Sequence, residues 1–189
     1  LHQGVIEMRM WRVSLAATAL TFGCLLPATA QTVESVPYRV VLSPANEVPP
    51  VTGIAASGGA TVWLHLVRNS SGEVIRATTE FQVSYRFDTP TNITAMHIHS
   101  GAAGANGPVV IDSAVTRVDG ATAGALPALQ MFNAAGSAGL EAVKGILANP
   151  SGYYLNMHST ANPAGVIRGQ LQKAEMAVRV ARINPGNEV

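Results

Sequence analysis

The feature that most constrains the fold of this chain is the two-residue alternation of apolar and polar side chains. Val62, Leu64 and Leu66 fall on one side of one such segment, whereas Trp63 and His65 fall on the other. Successive side chains of a β-strand point to opposite faces of the sheet. The alternation therefore predicts strands that have one face in a core, and it favours an all-β fold.

Seven segments that alternate or are rich in β-branched residues are predicted as strands, and clusters of glycine and proline separate them. The predicted strands are residues 38–43, 60–66, 74–85, 93–99, 109–111, 153–158 and 166–171. Residues 139–148 differ, because their apolar side chains recur at helical spacing until Asn149 and Pro150 end the segment. We expect an antiparallel Greek-key sandwich or flattened barrel with one short helix.

The first thirty residues have the three parts of a secretory signal peptide. Arg9 and Arg12 form a basic region, an uncharged stretch follows at 13–26, and small residues precede a cleavage point between Ala30 and Gln31. The uncharged stretch of about 14 residues is shorter than the roughly 20 that cross a bilayer, so no membrane span is predicted. The mature protein is expected to be periplasmic or secreted.

Two further expectations concern this N-terminal segment. Residues 1–7 are expected to lie upstream of the true start, and maturation at Cys24 with attachment of a lipid is the alternative to cleavage after Ala30. Ordinary cleavage removes Cys24, the only cysteine of the chain. Stability then depends on a packed core rather than on disulfides.

Composition argues against several classes of function. The chain has 12 basic residues (Lys and Arg) and 11 acidic residues (Asp and Glu), and the basic residues do not cluster, so nucleic acid is not an expected partner. No nucleophile elbow and no phosphate-binding glycine loop behind a strand occurs, which argues against the common enzyme classes. The expected partner is an unidentified extracytoplasmic protein or a metal ion.

Three histidines form the candidate site. His97 and His99 share one face of a predicted strand at a separation of roughly 7 Å, and His158 ends another predicted strand directly before a loop. If these strands pair, the three imidazoles converge at one rim, where three imidazoles with an open position suit copper or zinc. Met96 and Met157 are expected to point away from the site. The alternative is that the histidines donate to loop carbonyls and only stabilise turns.

Four ordered motifs resemble the CHRD domain, which is named for repeats in chordin and is common in exported bacterial proteins. The motifs are NEVPPV at 46–51, HIHSG running on to NGPVV at 97–110, NPSGYYLNMH at 149–158 and NPAGVIRGQL at 162–171. The resemblance implies one domain over residues 36–173 and a C-terminal extension over 174–189. The growth-factor antagonism of chordin is not carried over to a solitary domain behind a bacterial-looking signal.

A second resemblance is an analogy only. The pattern His-x-His with a later histidine is similar to the copper ligands of copper/zinc superoxide dismutase, another Greek-key β-barrel. The chain lacks that enzyme's disulfide cysteines and an evident zinc loop, so dismutase activity is not expected. The expected function is a non-catalytic binding or structural module, and the alternative is a mononuclear copper or zinc protein with redox activity left open.

The family motifs also contain one candidate ion pair. Arg168 lies on a predicted strand near Gln170, and a buried arginine on a strand requires a partner. Glu47 of the first motif is the candidate, and such a pair would tie the first loop to the last strand. The alternative is that both side chains are exposed and never meet.

Overall fold

The computed structural model describes residues 31–132 and 136–175, which form eight strands and one α-helix. This confirms the predicted all-β fold with one short helix. The predicted signal peptide, and the extension beyond residue 175, lie outside the described residues. The elements are β1 (Thr32–Leu42), β2 (Ala56–Arg68), β3 (Val74–Ser100), β4 (Val109–Asp112), β5 (Val118–Phe132), α1 (Ala138–Ala148), β6 (Tyr153–Ser159), β7 (Ile167–Gln170) and β8 (Gln172–Lys173).

The strands form one antiparallel sheet that nearly closes on itself. Their order is β7-β6-β3-β2-β1-β8, and β4 and β5 also pair with β3. Ser43, directly after β1, exchanges two backbone hydrogen bonds with Arg168 of β7 (3.1 and 3.3 Å). This bridge brings the two sides of the sheet together, and the result is a flattened barrel.

β3 is the longest strand, and it carries two of the three candidate histidines. The prediction of separate strands at 74–85 and 93–99 is wrong, because the backbone stays extended through Pro90. The register with β5 shifts between Arg86 and Thr91, so the missing N–H of the proline interrupts no regular ladder. The half of β3 that carries the histidines pairs with β6 and β4.

β5 has no counterpart among the predicted strands. Its sequence is rich in alanine and glycine, contains Pro127 and lacks the β-branched alternation that predicts a strand. It pairs with β3 from Ala77 opposite Phe132 to Ile93 opposite Val118. Hydrogen bonding to a neighbouring strand, rather than local propensity, therefore determines this element.

The inward faces of the strands fill a hydrophobic core. Val62, Leu64 and Leu66 are fully buried, as their alternation predicts. The helix α1 begins after Ser137, whose hydroxyl accepts a hydrogen bond from the Leu140 N–H (3.3 Å), and it packs against β3 and β4. Among the described residues, no helix combines the length and the apolar character that crossing a membrane requires.

β6 is buried on both of its faces, and this positions the candidate site. Leu155 and Met157 face the core and are fully buried, whereas Tyr154, Asn156 and His158 face the other way and are at most 8% exposed. The loops that precede β2, β4 and β7 lie over this polar side of the sheet, and their carbonyl groups accept hydrogen bonds from side chains of β3, β6 and β7.

Candidate metal centre

The three candidate histidines lie together on the polar face of β3 and β6. The two strands pair with His97 opposite Asn156 and Ala95 opposite His158, so the strand ends that carry histidines are neighbours. One ring nitrogen of each of His97, His99 and His158 lies within 4.8 Å of the others. Within residues 31–132 and 136–175, no further histidine, cysteine, aspartate or glutamate joins the group.

Hydrogen bonds to loop carbonyls determine the tautomers of two of these rings. His99 Nδ1 lies 2.9 Å from the Gly107 oxygen, and His158 Nδ1 lies 3.0 Å from the Pro163 oxygen. A carbonyl only accepts, so both Nδ1 atoms carry the proton and both Nε2 atoms keep an unshared lone pair. His99 Nε2 is buried and has no hydrogen-bond partner, which is unusual for a buried polar atom.

His97 lies between His158 and a carboxylate. Its Nδ1 lies 3.1 Å from His158 Nε2, and its Nε2 lies 3.6 Å from Asp112 Oδ1. Without a metal, His97 Nδ1 donates its proton to His158 Nε2. Two nitrogen ligands of a tetrahedral zinc ion at 2.0–2.1 Å are roughly 3.3 Å apart. His97 Nδ1 and His158 Nε2 are therefore already at ligand spacing, whereas the cluster as a whole spans up to 4.8 Å.

Burial keeps two of the rings neutral. Loss of solvent lowers the pKa of His99 and His158 below the ordinary value of histidine, although the hydrogen bonds to Gly107 and Pro163 oppose the change. A metal ion binds the unprotonated ring nitrogen, so no proton has to be displaced from these two rings at neutral pH. The His97 side chain is 19% exposed and forms the edge that faces solvent.

An aromatic stack holds His99 in place. The rings of His99 and Tyr154 are parallel within 6°, with centroids 4.9 Å apart, and the Arg168 guanidinium lies 4.3 Å from the Tyr154 centroid. The Tyr154 hydroxyl accepts a hydrogen bond from the Gly107 N–H (3.2 Å). Gly107 therefore contacts both members of the stacked ring pair.

Sequence patterns alone do not single out Tyr154, Gly107 or Asp112 as part of this centre. Tyr154 and Gly107 lie inside the CHRD-like motifs, which is the signal that would have marked them. Asp112 lies one residue beyond a predicted strand and is opposite His97 in the β3–β4 pairing. Met96 and Met157 are fully buried in the core on the other face, which confirms that they point away from the histidines.

Arg168 and Glu47 are both buried, at 1% and 5% exposure, but their contacts differ from the predicted ones. Arg168 donates from Nε to the Asn46 carbonyl (2.6 Å) and from Nη1 to Asn106 Oδ1 (2.9 Å). Glu47 Oε1 and Arg168 Nη2 have no hydrogen-bond partner. Within the described residues, no oxygen of the Glu47 carboxylate lies within 4.0 Å of a nitrogen of the Arg168 guanidinium. Arg168 thus ties the first loop to β7 through Asn46, and the Glu47–Arg168 ion pair stays a prediction.

Replacing Glu47 by glutamine is expected to change how stability depends on pH. Burial raises the pKa of Glu47 from 4.5 to about 7, against the opposing effect of the Arg168 charge. The folded state thus keeps a proton that the unfolded state releases above pH 4.5. The stabilisation that this proton provides is present at low pH and is lost as the pH rises through about 7. From pH 5 to pH 8, Glu47→Gln should gain about 2 kcal/mol relative to the wild type.

Urea unfolding of both proteins at the two pH values measures this difference. Glu73→Gln, at an exposed acidic residue, is the matched control and should show no such gain. An equal stability difference between Glu47→Gln and the wild type at pH 5 and pH 8 would contradict the raised pKa.

Comparison with known proteins adds one finding to this geometry. A family model described as the CHRD domain matches residues 38–171. The matched segment includes the three histidines, Glu47 and Arg168. No curated protein and no solved structure matches the chain.

Proposed function

Since this chain belongs to the CHRD-domain family, we propose that it is a non-catalytic binding module whose ligand is one Cu²⁺ or Zn²⁺ ion at His97, His99 and His158. The observation that carries the proposal is the pair of buried rings whose Nδ1 protons are held by loop carbonyls. His158 Nε2 lies 3.1 Å from His97 Nδ1, one ring nitrogen of each histidine lies within 4.8 Å of the others, and His99 Nε2 has no hydrogen-bond partner.

The chemistry of the donor set selects the class of metal. Three neutral imidazoles suit zinc and copper, whereas magnesium and calcium prefer oxygen ligands. The second ring nitrogen of two proposed ligands has a carbonyl acceptor, Gly107 for His99 and Pro163 for His158, and His97 Nε2 lies 3.6 Å from the Asp112 carboxylate. Acceptors of this kind orient metal-bound histidines and strengthen them as ligands.

Equilibrium dialysis of the metal-stripped protein tests the proposal. We expect one Cu²⁺ or Zn²⁺ per chain at micromolar concentration, and no uptake of Mg²⁺ under the same conditions. Protein that remains free of both transition metals at micromolar concentration would falsify the metal site.

A structural module without a metal is the second candidate, and the same two carbonyl hydrogen bonds favour it. Donation to Gly107 and Pro163 is also what histidines do when they only stabilise turns. The two candidate functions predict different results in thermal unfolding, because a metal that binds only the folded protein raises its melting temperature. A melting temperature that responds to neither Cu²⁺ nor Zn²⁺ supports the structural module.

Replacing Asp112 by asparagine is expected to weaken metal binding about ten-fold. The variant removes the charge that faces His97 Nε2 at 3.6 Å, and that carboxylate favours the tautomer with Nδ1 free for the metal. Competition with a chromophoric chelator measures the affinity. Asp119→Asn, which removes an equally exposed carboxylate next to Arg117, is the control. Equal affinities for both variants would rule out a role for Asp112.

We also propose that the protein acts outside the cytoplasm, because its N-terminal thirty residues have the basic, apolar and small-residue parts of a signal peptide. Expression of the full chain in a bacterium, followed by fractionation and N-terminal sequencing, tests this. A mature N-terminus at Gln31 in the periplasm or medium is the expected result. Uncleaved protein that stays in the cytoplasm would contradict it, and a lipid on Cys24 would replace simple cleavage with anchoring.

A further inference from the structure

Arg168 is a buried charge that packing alone does not explain. Its side chain is 1% exposed, and among residues 31–132 and 136–175 no carboxylate oxygen lies within 4.0 Å of its nitrogens. Removing an arginine charge from water is costly, and an apolar side chain of similar volume often stabilises a fold as well or better. The contacts of the guanidinium therefore indicate what the charge is for.

One of these contacts leads to the histidine cluster through Tyr154. The strand that carries Tyr154, β6, lies between β7, which carries Arg168, and β3, which carries His99. The guanidinium lies 4.3 Å from the centre of the Tyr154 ring, and that ring is parallel to the His99 ring within 6°, with centroids 4.9 Å apart. Cation–π contacts and stacked rings both favour particular ring positions. Arg168 thus helps to fix the surface against which the His99 ring packs.

A second series of contacts leads to the same ring through the loop before β4. Arg168 Nη1 donates to Asn106 Oδ1 (2.9 Å), and Asn106 Nδ2 donates to the Val48 carbonyl (2.8 Å). The Asn106 side chain is therefore held at both ends. The carbonyl of the next residue, Gly107, lies 2.9 Å from His99 Nδ1 and bonds to it. Both series of contacts that begin at Arg168 end on His99.

These two series of contacts affect the histidines unequally. His99 Nε2 has no hydrogen-bond partner, so the orientation of this ring depends on its Nδ1 bond and on the ring stack. His158 is held separately, by the Pro163 carbonyl (3.0 Å) and by His97 Nδ1 (3.1 Å). A change at Arg168 should therefore move His99 more than His158, which distinguishes positioning from a general loss of structure.

We propose that Arg168 is a positioning residue of the candidate metal centre, which holds the His99 ring in the cluster through Tyr154 and through residues 106–107. The consequence for the metal rests on the proposed function, whereas the position of the ring can be measured without a metal. Arg168 also donates to the Asn46 carbonyl (2.6 Å). The inference therefore makes the first loop, at 44–51, part of the support of the centre.

The ring-proton NMR signals of the metal-free protein test the position of His99. A stacked tyrosine ring shifts these protons upfield, and Arg168→Lys should reduce the shift. Lysine keeps the charge, but it cannot reproduce the flat group that stacks and donates in two directions at once. The His158 signals should change far less. Arg39→Lys, at an exposed arginine of β1, is the matched control and should alter neither. Unchanged His99 signals in Arg168→Lys would overturn the inference.

If Arg168→Lys does not fold, two variants of the exposed residue Asn106 decide the question. Asn106→Asp keeps an oxygen that accepts from Arg168 and loses the donor to Val48, whereas Asn106→Ala loses both. We expect Asn106→Ala to move the His99 signals and Asn106→Asp to leave them near their wild-type positions. Equal effects of the two variants, or no effect of either, would contradict the role of Arg168.

Copper binding measures the consequence for the metal. Loss of a group that orients a metal-bound histidine lowers affinity by about 10–100-fold, so Arg168→Lys should bind Cu²⁺ about ten-fold more weakly and show an altered electron paramagnetic resonance spectrum. Because the charge is kept, this loss cannot come from a change in electrostatic repulsion. Arg39→Lys should match the wild type in both measurements.

The two proposals fail in different ways. Wild-type protein that takes up no copper in dialysis contradicts the metal site, and the NMR signals of the metal-free protein then decide the role of Arg168 by themselves. Copper uptake by the wild type, with the same affinity and spectrum in Arg168→Lys and in Asn106→Ala, would overturn the positioning role and leave Arg168 with a structural one.

Discussion

Replacing His158 by alanine is expected to lower the affinity of the protein for Cu²⁺ by at least about 100-fold, since two protein ligands remain where a transition metal requires three or four. At a copper concentration about 100 times the wild-type dissociation constant, binding stabilises the wild type by roughly 2.7 kcal/mol. The variant should lose this stabilisation, and with it the copper-dependent rise in melting temperature. Competition with a chelator and thermal unfolding with and without copper measure the two effects.

The metal-free variant should remain folded. The variant loses the hydrogen bonds of His158 with the Pro163 carbonyl (3.0 Å) and with His97 Nδ1 (3.1 Å). Together they contribute about 2 kcal/mol, which is less than the free energy of unfolding of a typical domain. His65→Ala is the matched control, because His65 is half-buried on β2, lies outside the histidine cluster and bonds to Ser35 and Glu80. Copper binding that survives in His158→Ala, or that is lost equally in His65→Ala, would exclude the proposed ligand set.

Replacing Gly107 by alanine is expected to destabilise the protein by about 4 kcal/mol and to abolish metal binding. A Cβ atom at this position would overlap the backbone oxygen of Ser100, and a backbone atom cannot move aside as a flexible side chain can. The loop would have to shift, and Gly107 would then lose its contacts with His99 (2.9 Å) and Tyr154 (3.2 Å). Both contacts are partly buried, so their groups would lose partners without gaining full hydration.

Gly59→Ala is the matched control for this experiment. A Cβ atom at Gly59 would meet only Ser84 and Val40, each at 3.9 Å, which is ordinary van der Waals contact. Urea unfolding of both variants measures the difference in stability, and copper competition at a temperature where both are folded measures the effect on the site. Similar stabilities for Gly107→Ala and Gly59→Ala would mean that the loop adapts without strain.

The sequence predicts those strands in which apolar and polar side chains alternate because one face lies in the core. Val62, Leu64 and Leu66 lie in the core because their two-residue spacing puts them on one face, and this depends on local geometry alone. β5 escapes prediction because its alanine-rich and glycine-rich segment has no strong preference of its own and forms a strand only against β3. The continuity of β3 through Pro90 likewise depends on a shift in pairing with a partner strand.

The candidate site likewise has features that the sequence predicts and features that depend on strand pairing. The spacing of His97 and His99 places both rings on one face of a strand, and the position of His158 at the end of another predicted strand makes it the third candidate. Their convergence within 4.8 Å results from the pairing of β3 with β6, which joins residues about sixty positions apart. No local sequence pattern specifies the register in which β3 and β6 pair.

The period of side chains along the backbone and the order of the motifs are enough to predict the all-β class, most strands, the one helix and the identity of the three histidines. Which nitrogen of each ring is free depends on folding, since the acceptors at Gly107 and Pro163 and the Asp112 carboxylate come from loops and strands that are remote in the chain. Protonation and burial are properties of that assembly. They follow from distances between residues remote in the chain, which a one-dimensional pattern does not contain.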